Sequence, residues 1–133
     1  VLRDALADDA QLVRRRAIEQ LTRLGDREAW PAIEARLRDG DEWPIVVEAA
    51  LGYVQRLCIA DAGPAVIEVV RRGIRQGAWE PDVEMGVHAL RVATRLGGAT
   101  AEEARTVAAR GGEVMQAAVQ ASRADRETCA PGP

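Results

Sequence analysis

The feature that most constrains this chain of 133 residues is a helical apolar pattern that keeps returning. Val13, Ala17, Leu21 and Leu24, with Ile18 on the flank, fall at the three- and four-residue spacing that lines one face of an α-helix. The pattern returns 33 residues on as Val46, Ala50, Leu51, Val54 and Leu57. It returns again 72 residues from the first as Met85, Ala89, Leu90, Ala93 and Leu96, closed by Gly97. A second helix type lies between: Ala29-Trp30-Pro31-Ala32-Ile33 with Leu37 corresponds to Ala62-Gly63-Pro64-Ala65-Val66 with Val70. Pro31 and Pro64 fall at matching positions, and proline is well tolerated in a helix's first turn, where its missing N–H has no intrahelical partner anyway. Each unit reads as a proline-opened helix, a short acidic turn and a second helix of the type that begins near Val13, called B here. Residues 71–81 form a longer connection, Thr100-Ala101-Glu102-Glu103 reads as a capping box with Thr100 at the cap, and Glu113 to about Ala124 is the last helix. Residues 1 to about 7 read as the remnant of an earlier helix. No segment shows the period-two alternation of a strand, so the expected class is all-α.

Composition supports a folded body. Hydrophobic residues make up 47% and charged residues 29%, which places the chain outside the disordered class. Aromatics are only 3%, so the core must be built from Ala, Leu, Val and Ile, which let helices approach closely. Every basic residue is Arg, while Lys, Asn and Phe are absent, a bias that a GC-rich bacterial genome explains without selection for phosphate binding. The net charge of −3 argues against a generic nucleic-acid binder. No apolar run approaches the roughly 18 residues of a membrane span, and no signal peptide is visible, so cytoplasm is the expected compartment. Cys58 and Cys129 have neither metal-ligand nor framework spacing; Cys58 is expected to be a buried free thiol, and Cys129 to lie in a tail. The expected organisation is one helical array over 1–124 and a flexible C-terminal tail over 125–133.

The run from Asp8-Asp9 through Val13-Arg14, Ala17, Leu21 and Leu24-Gly25-Asp26-Arg27-Glu28-Ala29-Trp30-Pro31-Ala32-Ile33 resembles the HEAT-repeat consensus, in its short bacterial, phycobilisome-lyase-type form. The second unit departs from it, with Val47 in place of the Arg that follows the first Val and Cys58-Ile59 in place of Gly-Asp; in the third, Gly86 takes that Arg slot. The resemblance implies a right-handed α-solenoid of about four stacked antiparallel helix pairs, with the B-type helices lining a concave face that binds proteins or peptides.

On that face one position is the same in all three B helices: Arg23, Arg56 and Arg95. They form either a ladder for carboxylates or phosphates, or three cations each favoured by its own helix's C-terminal dipole. Arg15, Arg16, Glu19, Glu48, Gln55, His88, Arg91 and Thr94 are also expected to point outward. Trp30, Trp43 and Trp79 fall at or just before helix starts, where they either staple onto the first turn or, for Trp43 and Trp79, anchor a partner on one rim. His88 is the only histidine, and neither a nucleophile nor an oriented carboxylate can be set beside it from the sequence, so it is expected to be a solvated surface residue. Asp8, Asp9, Asp41 and Glu42 are expected to cap helices rather than bind metal.

The expected function is a non-catalytic scaffold that binds a partner protein or peptide through Arg23, Arg56, Arg95, Arg91, His88, Trp43 and Trp79, with no cofactor, metal or membrane. A nucleic-acid-binding protein like the HEAT-like DNA glycosylases and an assisting protein like the bilin lyases are the alternatives. Leu2, Leu6, Val114, Ala118 and Val119 are positioned to need neighbours, which fits a piece of a longer solenoid or a homo-oligomer joined through an exposed end.

Overall fold

A computed structural model describes residues 1–129. Among them there are seven α-helices and no strand, so the chain is all-α: α1 (Gln11–Leu24), α2 (Trp30–Arg38), α3 (Pro44–Leu57), α4 (Gly63–Gly73), α5 (Glu80–Leu96), α6 (Gly98–Ala108) and α7 (Glu113–Ala124). Short 3-10 turns at Asp4–Ala7, Arg27–Ala29 and Ala60–Ala62 join or precede them. The helices form two rows: α1 packs on α3, α3 on α5 and α5 on α7, while α2 packs on α4 and α4 on α6. One continuous apolar core runs between the rows, from Leu6 and Ile18 through Leu51, Tyr53 and Val66 to Leu90, Met115 and Val119.

Local chemistry sets the helix ends. Pro31, Pro44, Pro64 and Pro81 all sit in first turns, and Gly25 ends α1 in the left-handed conformation at φ 69°. α4 and α5 cross where Gly73 meets Gly86: a Cβ on Gly86 would stand 2.8 Å from the Met115 Cε and 3.2 Å from the Gly73 Cα. The slot that holds Arg14 in α1 therefore holds glycine in α5, because nothing larger fits beneath α4. Several carbonyls at or just past helix ends accept hydrogen bonds from neighbouring segments. Arg27 donates to the Leu57 carbonyl, Tyr53 donates its hydroxyl to the Asp26 carbonyl at 2.7 Å, and the buried Arg72 donates to the Leu37 carbonyl at 2.7 Å.

Several expectations are corrected here. Val13 and Leu24 do not face the core: they are 40% and 69% exposed, because α1 has α3 on one side and only the short N-terminal turn, not a helix, besides. Thr100 is not a cap; α6 begins at Gly98, and the Thr100 side chain lies against Gly63 of α4. The connection between α4 and α5 shortens to residues 74–79. Glu42 is not a helix cap but a buried carboxylate held by Arg14 at 2.6 and 3.0 Å and by Arg36 at 3.2 Å. Burial pushes its carboxyl up, but the hydrogen bonds from Arg14 and the Trp43 N–H, with the charges of Arg14 and Arg36, leave it below the ordinary glutamate value.

The cysteines are corrected as well. Cys58 and Cys129 are joined in a disulfide, so neither is a free thiol. The stretch 125–129, expected to be a flexible tail, is attached at Cys129 by this bond and by a backbone hydrogen bond to Arg95. The remaining tail positions, 130–133, lie outside the described residues.

Candidate partner-binding face

The outward sides of α1, α3 and α5 form one face, and its character changes along the helices. At the N-terminal rim, Trp43 and Trp79 occupy the N-cap positions of α3 and α5 and are 54% and 61% exposed. They do not staple onto their first turns; only Trp30 packs against the core. Below them an open groove is lined by Arg15, Glu19, Ile45, Glu48, Glu84 and Met85. Its carboxylates outnumber its single arginine, so this part of the face is acidic.

Halfway along, His88 of α5 meets Glu48 of α3 through its Nδ1. The half-buried histidine therefore has an oriented carboxylate partner, correcting the expectation of a merely solvated residue. His88 and Glu48 lie 40 residues apart, one residue off the 39-residue register that relates Arg56 to Arg95. The pair depends on how α3 and α5 sit side by side, which the spacing within either helix does not give. The pair bridges α3 and α5.

The C-terminal rim is basic. Arg56 and Arg95 line one cleft with Gly52 and Gln55. Arg23 is exposed on the last turn of α1, and among the described residues neither Arg23 nor Arg56 pairs with a carboxylate. Arg95 is different: its Nη2 lies 3.0 Å from Glu127, and its Nε is buried without an acceptor. Arg91 stands apart from this cleft. It borders a cavity of about 150 Å³ between α5 and α7, with Val87, Leu90, Ala118 and Ser122. That is below the roughly 300–1,000 Å³ of small-molecule sites. Thr94, expected to face outward, is buried and donates its hydroxyl to the Leu90 carbonyl at 2.8 Å.

Two residues of this rim escaped the sequence reading: Glu127 and Cys129. Cys58 carried a signal, since it holds the position that Gly25 holds in α1 and takes the same left-handed conformation, at φ 51°. A non-glycine there is strained unless something compensates. Among the described residues no group of three or more His, Cys, Asp or Glu side chains is placed to hold a metal ion. Among the described residues no helix is long and apolar enough to cross a membrane. No family model, curated protein or solved structure matches this chain.

Proposed function

We propose that this chain is a right-handed, HEAT-like α-solenoid of about four stacked antiparallel helix pairs, acting as a non-catalytic scaffold that binds a partner protein or peptide across α1, α3 and α5. The two rows of helices favour the solenoid reading, because stacked units leave an extended face rather than a pocket. One observation carries the binding reading: Arg56 and Arg95, at matching positions of adjacent helices, open onto a shared cleft that a carboxylate would fill. A dipole role alone would not require the two side chains to line one cleft. Trp43 and Trp79 extend the face as exposed aromatic anchors at the opposite rim. The cytoplasmic placement belongs to this reading only if the Cys58–Cys129 bond opens and closes there, since structural disulfides persist in oxidising compartments.

The test is affinity capture from a nuclease-treated lysate of the source cells, with the Arg23→Glu/Arg56→Glu/Arg95→Glu variant run alongside. A protein held stoichiometrically by the native chain and lost from the folded variant is the expected result. Equal capture by both baits removes the arginine rim from the function.

A further inference from the structure

The arginine rim already holds a ligand, and the chain itself supplies it. After α7 ends at Ala124, the backbone turns at Asp125, whose Oδ1 accepts the Glu127 N–H at 2.9 Å. Glu127 then pairs with Arg95 at 3.0 Å. The Cys129 N–H donates to the Arg95 carbonyl at 2.6 Å, and the Cys129 sulfur is bonded to Cys58 just past the end of α3. Residues 125–129 thus form a strap from the end of α7, over the end of α5, to the end of α3. The strap carries Asp125 and Glu127 beside Arg126, and it uses one backbone N–H and one carboxylate against one helix terminus.

Two observations say that this seat is only partly filled. The Glu127 side chain is 73% exposed, and so open an ion pair is weak by itself. The strap therefore stays on the rim because the disulfide tethers it, by effective concentration rather than affinity. Meanwhile the buried Arg95 Nε has no acceptor, and Arg56 faces the same cleft without a carboxylate.

We propose that residues 125–129 are a built-in occupant of the arginine rim, latched by Cys58–Cys129, and that the external partner is an extended acidic peptide that takes the same seat once the latch is open. This rests on the partner-binding reading above and names the partner's chemistry and its control. A dithiol reductant opens the latch: one of its thiolates attacks a cysteine sulfur, the S–S bond breaks and the displaced cysteine thiolate takes a proton. The reductant's second thiol then resolves the mixed disulfide. Two electrons pass to the protein, which ends as two thiols, and the reductant ends as its cyclic disulfide. Opened, the strap keeps only the weak Glu127 pair and the single hydrogen bond from the Cys129 N–H to the Arg95 carbonyl. A peptide with several carboxylates reaches Arg95, Arg56 and Arg23 together, which a strap ending at α3 cannot do.

The experiment measures fluorescence anisotropy of a labelled (Glu-Ser)6 peptide at low salt, with (Gln-Ser)6 and an oligothymidylate as controls. The protein is used oxidised, reduced with dithiothreitol, and as Cys129→Ser. The expected result is binding at least tenfold tighter to the reduced and Cys129→Ser forms than to the oxidised form, and lost on adding Arg56→Glu. In the oxidised protein, Glu127→Gln is expected to raise affinity about threefold, a readout that does not depend on the cysteine variant folding. Equal binding in all redox states overturns the latch, and tighter binding of the oligothymidylate overturns the peptide assignment. No peptide binding in any form, beside arginine-dependent capture of a lysate protein, sinks this proposal and leaves the scaffold reading standing. Failure of both sinks both.

Discussion

α1 and α3 carry the same apolar pattern, yet they live in different surroundings. Val46 is fully buried where Val13 is 40% exposed, and Leu57 is 8% exposed where Leu24 is 69%. α3 is flanked by α1 and α5, whereas α1 has only α3 beside it in its row. Its free side opens onto a shallow apolar groove lined by Leu2, Ala5, Val13 and Ala17. The two helices also end differently on the same backbone: glycine takes the left-handed position after α1, and a disulfide-bonded cysteine takes it after α3. A repeated sequence therefore specifies a helix and its inward face. The position in the row decides which inward residues are covered.

The strongest way to break this comparison is to remove what α3 has and α1 lacks. Reducing Cys58–Cys129, which spans 71 residues, is expected to lower stability by up to about 4 kcal/mol, the chain-entropy ceiling for such a loop. Urea melts with and without dithiothreitol measure it. Next comes the ion pair that joins the two units. Arg14→Met leaves Glu42 buried with Arg36 alone and is expected to cost about 3 kcal/mol at neutral pH. Because the folded Glu42 pKa lies below the ordinary 4.5, its stabilisation is complete above that value and is lost as pH falls through the folded pKa. The acid limb of the native stability profile is therefore expected to be steeper than that of the variant.

A milder comparison is the matched pair of leucines. Leu57→Ala is expected to cost about 2.5 kcal/mol and Leu24→Ala less than about 0.5 kcal/mol, both read from thermal or denaturant melts. Similar losses at the two sites would mean that the outer side of α1 is covered in solution. The last comparison concerns the caps. With Cys129→Ser already in place, Cys58→Gly is expected to raise stability by about 1 kcal/mol, while Gly25→Ala lowers it by about the same.

Much of this architecture was legible in advance. The three- and four-residue apolar spacing located α1, α3 and α5, and the prolines marked the first turns of α2 and α4. Arg23 and Arg56 lie exposed on final turns as the spacing required. What periodicity could not supply was everything that depends on a neighbour. Val13 and Leu24 looked interior because an apolar residue on a helix's inner face is interior only when another helix arrives. His88 found Glu48 through the register between two helices 40 residues apart in sequence. Cys129 and Glu127 lie in a segment with no periodicity at all. They are placed by a covalent bond and one carbonyl, and local pattern carries no trace of either.

The disulfide also determines how the protein carries mechanical load. Under tension applied between residues 1 and 129, the covalent load path runs through α1, α2 and α3 and leaves Cys58 directly through sulfur into Cys129. α4 to α7 lie inside the closed loop, so their chain cannot be drawn out while the bond is intact. The extensible length of the oxidised chain is set by the residues before Cys58. Reduction adds the 71-residue loop to what can be drawn out, so the same two thiols determine whether the array yields as a short tether or a long one.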